Sequence, residues 1–142
     1  MENTGSSGNG YNPLRWDCSK HGCFNEKRRP KIEVFADCFP GRINFGDVDG
    51  IVEINGNGLM LEWKTGSGNI PTGQKIMYEK LTATSLITVI CVVGNAETME
   101  CEKYCLFFSG KQKPFKSCDI ESVKKVIIRW VTWARKHRTK ET

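Results

Sequence analysis

Gly46-Asp47-Val48-Asp49-Gly50-Ile51-Val52-Glu53-Ile54-Asn55-Gly56-Asn57-Gly58-Leu59-Met60-Leu61-Glu62-Trp63-Lys64 is the stretch that decides the fold. Two apolar runs flank Asn55-Gly56-Asn57-Gly58, and Asn and Gly are the residues that accept the positive φ angles of a tight hairpin turn. The stretch reads as two antiparallel strands, residues 43–54 and 58–64. Side chains at i and i+2 share one face of a strand. Asp47 and Asp49 therefore share a face of the first strand, Glu62 and Lys64 share a face of the second, and Trp63 points the opposite way. Folding the second strand onto the first sets Asp47 or Asp49 beside Glu62. Carboxylate oxygens gathered at a sheet edge beside a lysine suit a hard divalent cation such as Mg²⁺ and an activated water.

Working outward, Thr65-Gly66-Ser67-Gly68-Asn69-Ile70 is a loop. In Gln74-Lys75-Ile76-Met77-Tyr78-Glu79-Lys80-Leu81, helical spacing predicts a helix over about 72–83. Ser85 to Val93 is β-branched and almost wholly apolar, as a strand buried on both faces is. Strand, helix, strand in that order implies a crossover and parallel pairing with the hairpin. Residues 104–109 suggest another strand. Asp119 caps a long helix to about residue 137, with Val123, Val126, Ile127, Trp130, Val131 and Ala134 on one face and Lys and Arg on the other. Upstream, Pro30 and the stripe Ile32, Val34, Phe35 and Cys38 predict a short helix over about 30–38, although the β-branched content leaves a strand open. The fold class expected is α/β, a mixed central sheet flanked by helices.

At 142 residues the chain is expected to hold one domain, residues 13–142, after a disordered arm over residues 1–12. No apolar run is long enough to span a membrane, and the start lacks the apolar core of a secretory signal. The seven cysteines are therefore expected to be reduced thiols or metal ligands in a cytoplasmic setting. Net charge is +5, with Lys27, Arg28 and Arg29 crowding the start and Arg135, Lys136 and other cations the end. An acidic centre between basic flanks suits phosphodiester chemistry, the flanks holding phosphates.

With these residues in view, Val48-Asp49 … Glu62-Trp63-Lys64 resembles the signature of the PD-(D/E)XK nuclease superfamily. The step from Asp49 to Glu62 is similar to that of virus-type replication-repair nucleases and Holliday-junction resolvases. Gln74 and Tyr78 match the Gln-x-x-x-Tyr pattern that some branches carry on the next helix. The resemblance implies a restriction-endonuclease-like α-β-β-β-α-β core and a Mg²⁺- or Mn²⁺-dependent endonuclease acting on DNA, of a bacterial or phage-infected cell. It implies Asp49 and Glu62 as metal ligands with Asp47 assisting, the Trp63 backbone carbonyl completing the shell, and Lys64 and Gln74 acting on the attacking water. Glu33 is a further candidate ligand, and Tyr78, Lys27, Arg28, Arg29, Arg135 and Lys136 are candidate nucleic-acid contacts. A homodimer would suit cutting of two strands. The family's usual Pro before the Asp is Val48 here.

Two other readings stand beside this one. Cys18, His21, Cys23 and Cys38 could supply four ligands to a structural Zn²⁺, whereas Cys91, inside an apolar strand, reads as a buried thiol. A non-catalytic, zinc-stabilised nucleic-acid-binding module is the alternative to an enzyme.

Overall fold

The computed structural model describes residues 30–139. The chain divides into two compact units, Met1–Gly46 and Asp47–Thr142, a boundary well inside the single domain expected from residue 13. The expected arm over 1–12 lies outside the described residues.

In the first unit, Ile32–Cys38 is a helix, but of the 3-10 kind, and none of its residues is buried. The rings of Phe35 and Phe39 meet Phe45 edge-on, at 6.1 and 5.2 Å.

The second unit is a mixed sheet with one α-helix on each face. Its elements are β1 (Gly50–Ile54), β2 (Asn57–Lys64), α1 (Thr72–Leu81), β3 (Ile87–Asn95), β4 (Glu100–Phe108), β5 (Lys111–Gln112), β6 (Lys116–Ser117) and α2 (Ile120–Lys136). The strands run β1-β2-β3-β4-β5, with β6 also on β4. β2 and β3 are parallel and every other pair is antiparallel. The hairpin turn is Asn55-Gly56, with φ of +56° and +87°, the positive pair that a two-residue hairpin demands. The crossover through α1 and the parallel pairing appear as the sequence pattern implied.

The two faces separate cleanly. On one, Leu59, Ile90, Val92 and Tyr104 pack against Val123, Val126, Trp130 and Ala134 of α2. On the other, Met60, Val89, Cys91, Cys105 and Phe107 pack against Tyr78 of α1. Full burial of each such apolar side chain contributes about 1.5–3 kcal/mol. Asp119 caps α2 by accepting the Ser122 amide at 2.8 Å. The far end of α2 is tied to the hairpin: Asn55 Nδ2 donates to the Ala134 and Arg135 carbonyls, both at 3.1 Å, and Asn57 Nδ2 to the His137 carbonyl at 2.6 Å.

Three expectations need correcting. The first strand begins at Gly50, not 43, so Asp47 and Asp49 precede the ladder and do not share a strand face. Asp and Gly are poor strand formers, and Asp49 spends its side chain on the amide that a longer ladder would have engaged. β4 starts at Glu100, four residues earlier than its apolar run suggested, because its outer end is an alternating, half-exposed edge. The two-residue strands β5 and β6 flank Pro114 and carry no periodicity by which they could be read. Among the described residues only two strands, β1 and β2, precede α1, against the three of the core that the family resemblance implied.

Candidate active site

Glu62 and Lys64 alternate onto the α1 face of β2, and Glu62 is 7% exposed. Its register neighbour in β3 is Cys91. From α1 come two side chains one turn apart. Gln74 Oε1 accepts a hydrogen bond from Lys64 Nζ, and the Tyr78 hydroxyl interacts with the Glu62 carboxylate. The i, i+4 spacing of Gln74 and Tyr78, legible in the sequence, thus serves two adjacent positions of the strand beneath.

Asp49 joins them through the backbone. Residues on alternate positions of a strand turn both N–H and C=O to the same edge. The hairpin closes on the pair Ile54–Asn57, which sets Asn57, Leu59, Leu61 and Trp63 toward β1. Gly58 faces the other edge, its amide donating to the Leu86 carbonyl at 2.7 Å. The β1–β2 ladder ends at Gly50–Leu61, so the Trp63 amide meets no strand partner there. Asp49 Oδ2 accepts it instead, at 2.6 Å. The Trp63 carbonyl points to that same edge. One register step beyond Gly50–Leu61, Asp49 lies opposite Glu62, and its charge acts on the Glu62 carboxyl.

Electrostatically the cluster is under tension. Burial pushes the Glu62 carboxyl above its ordinary value. The Tyr78 hydroxyl pulls it down, Asp49 raises it again, and Lys64 lowers it. Burial, then the Glu62 charge, push Tyr78 far upward, so it stays a neutral hydroxyl. The Cys91 thiol, hydrogen-bonded to Cys105 and buried, is likewise pushed up and keeps its proton. Two carboxylates against one ammonium leave excess negative charge that a cation would offset. Among the described residues no group of three or more His, Cys, Asp or Glu could hold a metal ion. The oxygen donors of this cluster are the Asp49 and Glu62 carboxylates, two acidic groups and not three, and the Trp63 carbonyl. All are hard oxygen donors, and Mg²⁺ is commonly bound through one or two carboxylates with water and substrate phosphate filling the rest.

The remaining sequence-derived candidates fall elsewhere. Asp47 is exposed in the segment before β1, and the charges acting on Glu62 come from Asp49 and Lys64. Tyr78, expected against nucleic acid, is 1% exposed, its ring edge-on to Phe107 at 5.2 Å. It is a positioning residue for Glu62, not a surface contact. Arg135 and Lys136 are exposed, but α2 covers the sheet face opposite Glu62 and ends at the hairpin. Asn57 to Glu62 alone spans roughly 16 Å of strand, so these cations are separated from the cluster by face and by end. At the C-terminus of a helix they also complement its dipole. Glu33 lies on the 3-10 helix of the first unit. Lys27, Arg28, Arg29, Cys18, His21 and Cys23 lie outside the described residues, and Cys38, their proposed zinc partner, is exposed. Trp63 is half-buried against the α2 face, its indole donating to the Gly94 carbonyl at 3.1 Å, and Trp130 is in the core. The sequence did not signal Tyr78 as the partner of Glu62, because that contact depends on how α1 docks.

No protein-family model, curated protein or solved structure matches this chain. Among the described residues no helix is long and apolar enough to cross a membrane.

Proposed function

We propose that this chain is a metal-dependent nuclease with a restriction-endonuclease-like core, hydrolysing phosphodiester bonds in DNA. The observation that carries the reading is the gathering of Asp49, Glu62 and Lys64 at one end of β2, with Lys64 held by Gln74 of the crossover helix. Asp49 and Glu62, with the Trp63 carbonyl, are the residues that would hold Mg²⁺ or Mn²⁺. The bound cation would supply Lewis acidity, acidifying a water and offsetting charge on the phosphoryl oxygens.

The protein's own groups do the rest. Lys64 presents an ammonium beside the two carboxylates, where it orients the attacking water and offsets charge as it develops on the phosphoryl oxygens. Gln74 fixes that ammonium through its carbonyl oxygen and leaves its own amide N–H groups for a phosphate. Tyr78 favours the ionised form of Glu62, the form a cation requires. Asp49 is held by the Trp63 amide, so its carboxylate is positioned before any cation arrives. The positive charge of the chain as a whole favours a polyanionic substrate.

The test is cleavage of plasmid and single-stranded DNA with Mg²⁺ or Mn²⁺ by wild type, Lys64→Ala and Glu62→Gln. Wild type is expected to yield metal-dependent products, with each variant slower by about 10²–10³-fold. Absence of products with every cation, or full activity in Lys64→Ala, would overturn the reading.

A further inference from the structure

The outer end of β4 carries a pair of cysteines that the candidate active site does not use. The β3–β4 register passes from Val93–Lys103 to Gly94–Cys101, so Glu102 is an extra residue, a β-bulge. Side chains alternate along a strand. Cys105 points to the α1 side of the sheet, and without the bulge Cys101, four residues back, would point there too. The extra residue reverses the alternation, and Cys101 packs against the α2 cluster instead. Cys118 reaches the same place from the other direction. β6 pairs with β4 at Lys103–Ser117, and the Cys118 amide donates to the Glu102 carbonyl at 3.1 Å. One residue before the Asp119 cap of α2, Cys118 also packs on the α2 cluster. The two thiols are hydrogen-bonded to each other.

A disulfide needs two Cα atoms within about 7 Å of each other and converging Cβ vectors. The Cys118–Glu102 backbone bond brings the two chain segments side by side, and the thiols already meet, so closure needs no rearrangement of either strand. Access separates this pair from another. Cys91 and Cys105 face each other across β3 and β4 but are fully buried, beyond the reach of a dissolved reagent. Cys101 and Cys118 are each half-buried, so a reagent in solution meets them. Burial raises the Cys101 thiol above its ordinary value, and the Cys118 thiol, donating to the Cys101 sulfur, opposes that rise. Burial, then the Cys101 charge, push Cys118 up to about 11. The thiolate is the nucleophile, so Cys101 is the attacking member and Cys118 the one that follows.

We propose that Cys101 and Cys118 are a redox-active pair that closes to a disulfide by exchange with a small-molecule disulfide of the glutathione class. The Cys101 thiolate, its proton released to solvent, attacks one sulfur of the reagent. A bond forms between Cys101 and that sulfur, the reagent's own S–S bond breaks, and one thiolate leaves and takes up a proton. Cys118 then gives its proton to solvent and attacks the Cys101 sulfur, and the second half of the reagent leaves as a thiol. Two protein thiols are oxidised by two electrons in all, and one small disulfide is reduced to two thiols. The new bond joins the start of α2 to the bulged end of β4, enclosing β5 and β6. The pair is separate from the Asp49–Glu62–Lys64 cluster and does not depend on the nuclease reading.

The experiment incubates the full chain with excess oxidised glutathione at mildly alkaline pH, then maps the modified cysteines by mass spectrometry of peptides. Wild type, Cys101→Ser and Cys118→Ser are compared. Wild type is expected to give a Cys101–Cys118 cross-link that dithiothreitol reverses, with Cys91 and Cys105 unmodified. Cys118→Ser should stop at a glutathione adduct on Cys101, and neither variant should form the cross-link. Closing a loop of this length should raise Tm by roughly 10 °C over Cys118→Ser treated in the same way. A glutathione adduct that persists on Cys101 of wild type would overturn the proposal. So would absence of any reaction at Cys101 and Cys118, or a cross-link that joins either of them to a different cysteine.

Discussion

Replacing Tyr78 with Phe removes one hydroxyl from the cluster and leaves the ring on Phe107, 5.2 Å between centroids. No cavity opens, so the change isolates the interaction with Glu62. Hydrogen bonds to charged groups contribute about 1.5–3 kcal/mol. Because Glu62 is 7% exposed, water cannot take the place of the lost donor. The expected loss at neutral pH, with chelator present, is therefore about 2 kcal/mol. In a domain of this size that lowers Tm by roughly 8 °C. The pH dependence carries the sharper test. Burial raises the Glu62 carboxyl above its ordinary value of 4.5. Its favourable contribution to stability is thus fully present below pH 4.5 and is lost as pH rises through the raised folded value. The Tyr78 hydroxyl opposes that loss by favouring the carboxylate. Tyr78→Phe should cost most above the Glu62 pKa, and its penalty should shrink as the carboxyl protonates. Urea denaturation of wild type, Tyr78→Phe, Glu62→Gln and the double variant across pH 4–8 measures it. Equal penalties at both ends of the range, or no coupling between the two positions in the cycle, would refute the proposed contact.

Two further outcomes test how the scaffold holds the site. Gly94 sits at the irregularity where the β3–β4 register shifts, and a Cβ there would lie 2.2 Å from the Glu100 carbonyl oxygen and 3.0 Å from the Cys101 Cα. Gly94→Ala should cost about 3 kcal/mol, read as a lower urea midpoint; a loss under about 1 kcal/mol would mean that β4 shifts without resistance. Asn57→Ala frees the His137 carbonyl, which Asn57 Nδ2 now meets at 2.6 Å from a buried position. It should cost about 1–3 kcal/mol and speed amide exchange in the last turn of α2, with exchange in α1 unchanged.

The hairpin, both α-helices and the buried parallel strand were all legible in the chain, because each is written in local spacing. Asn55-Gly56 has the positive φ values its residue types accept, the apolar stripe of α2 recurs at three and four residues, and Ile87 to Val93 lacks any polar face. The pairing of Glu62 with Lys64, and of Gln74 with Tyr78, followed from the same periodicities. What local spacing does not carry is where one element ends against another. Asp47 and Asp49 are equivalent in sequence, and only the register, which stops at Gly50–Leu61, turns Asp49 onto the Trp63 amide and leaves Asp47 in solvent. Tyr78 became a buried partner of Glu62 through the docking of α1, and Arg135 and Lys136 came to lie by the hairpin turn through the docking of α2. Thr88 reads in the sequence as an ordinary strand residue. That it is buried follows from side chains contributed by β2, β4 and α2, which are brought together by packing over long separations and leave no trace in the residues next to it.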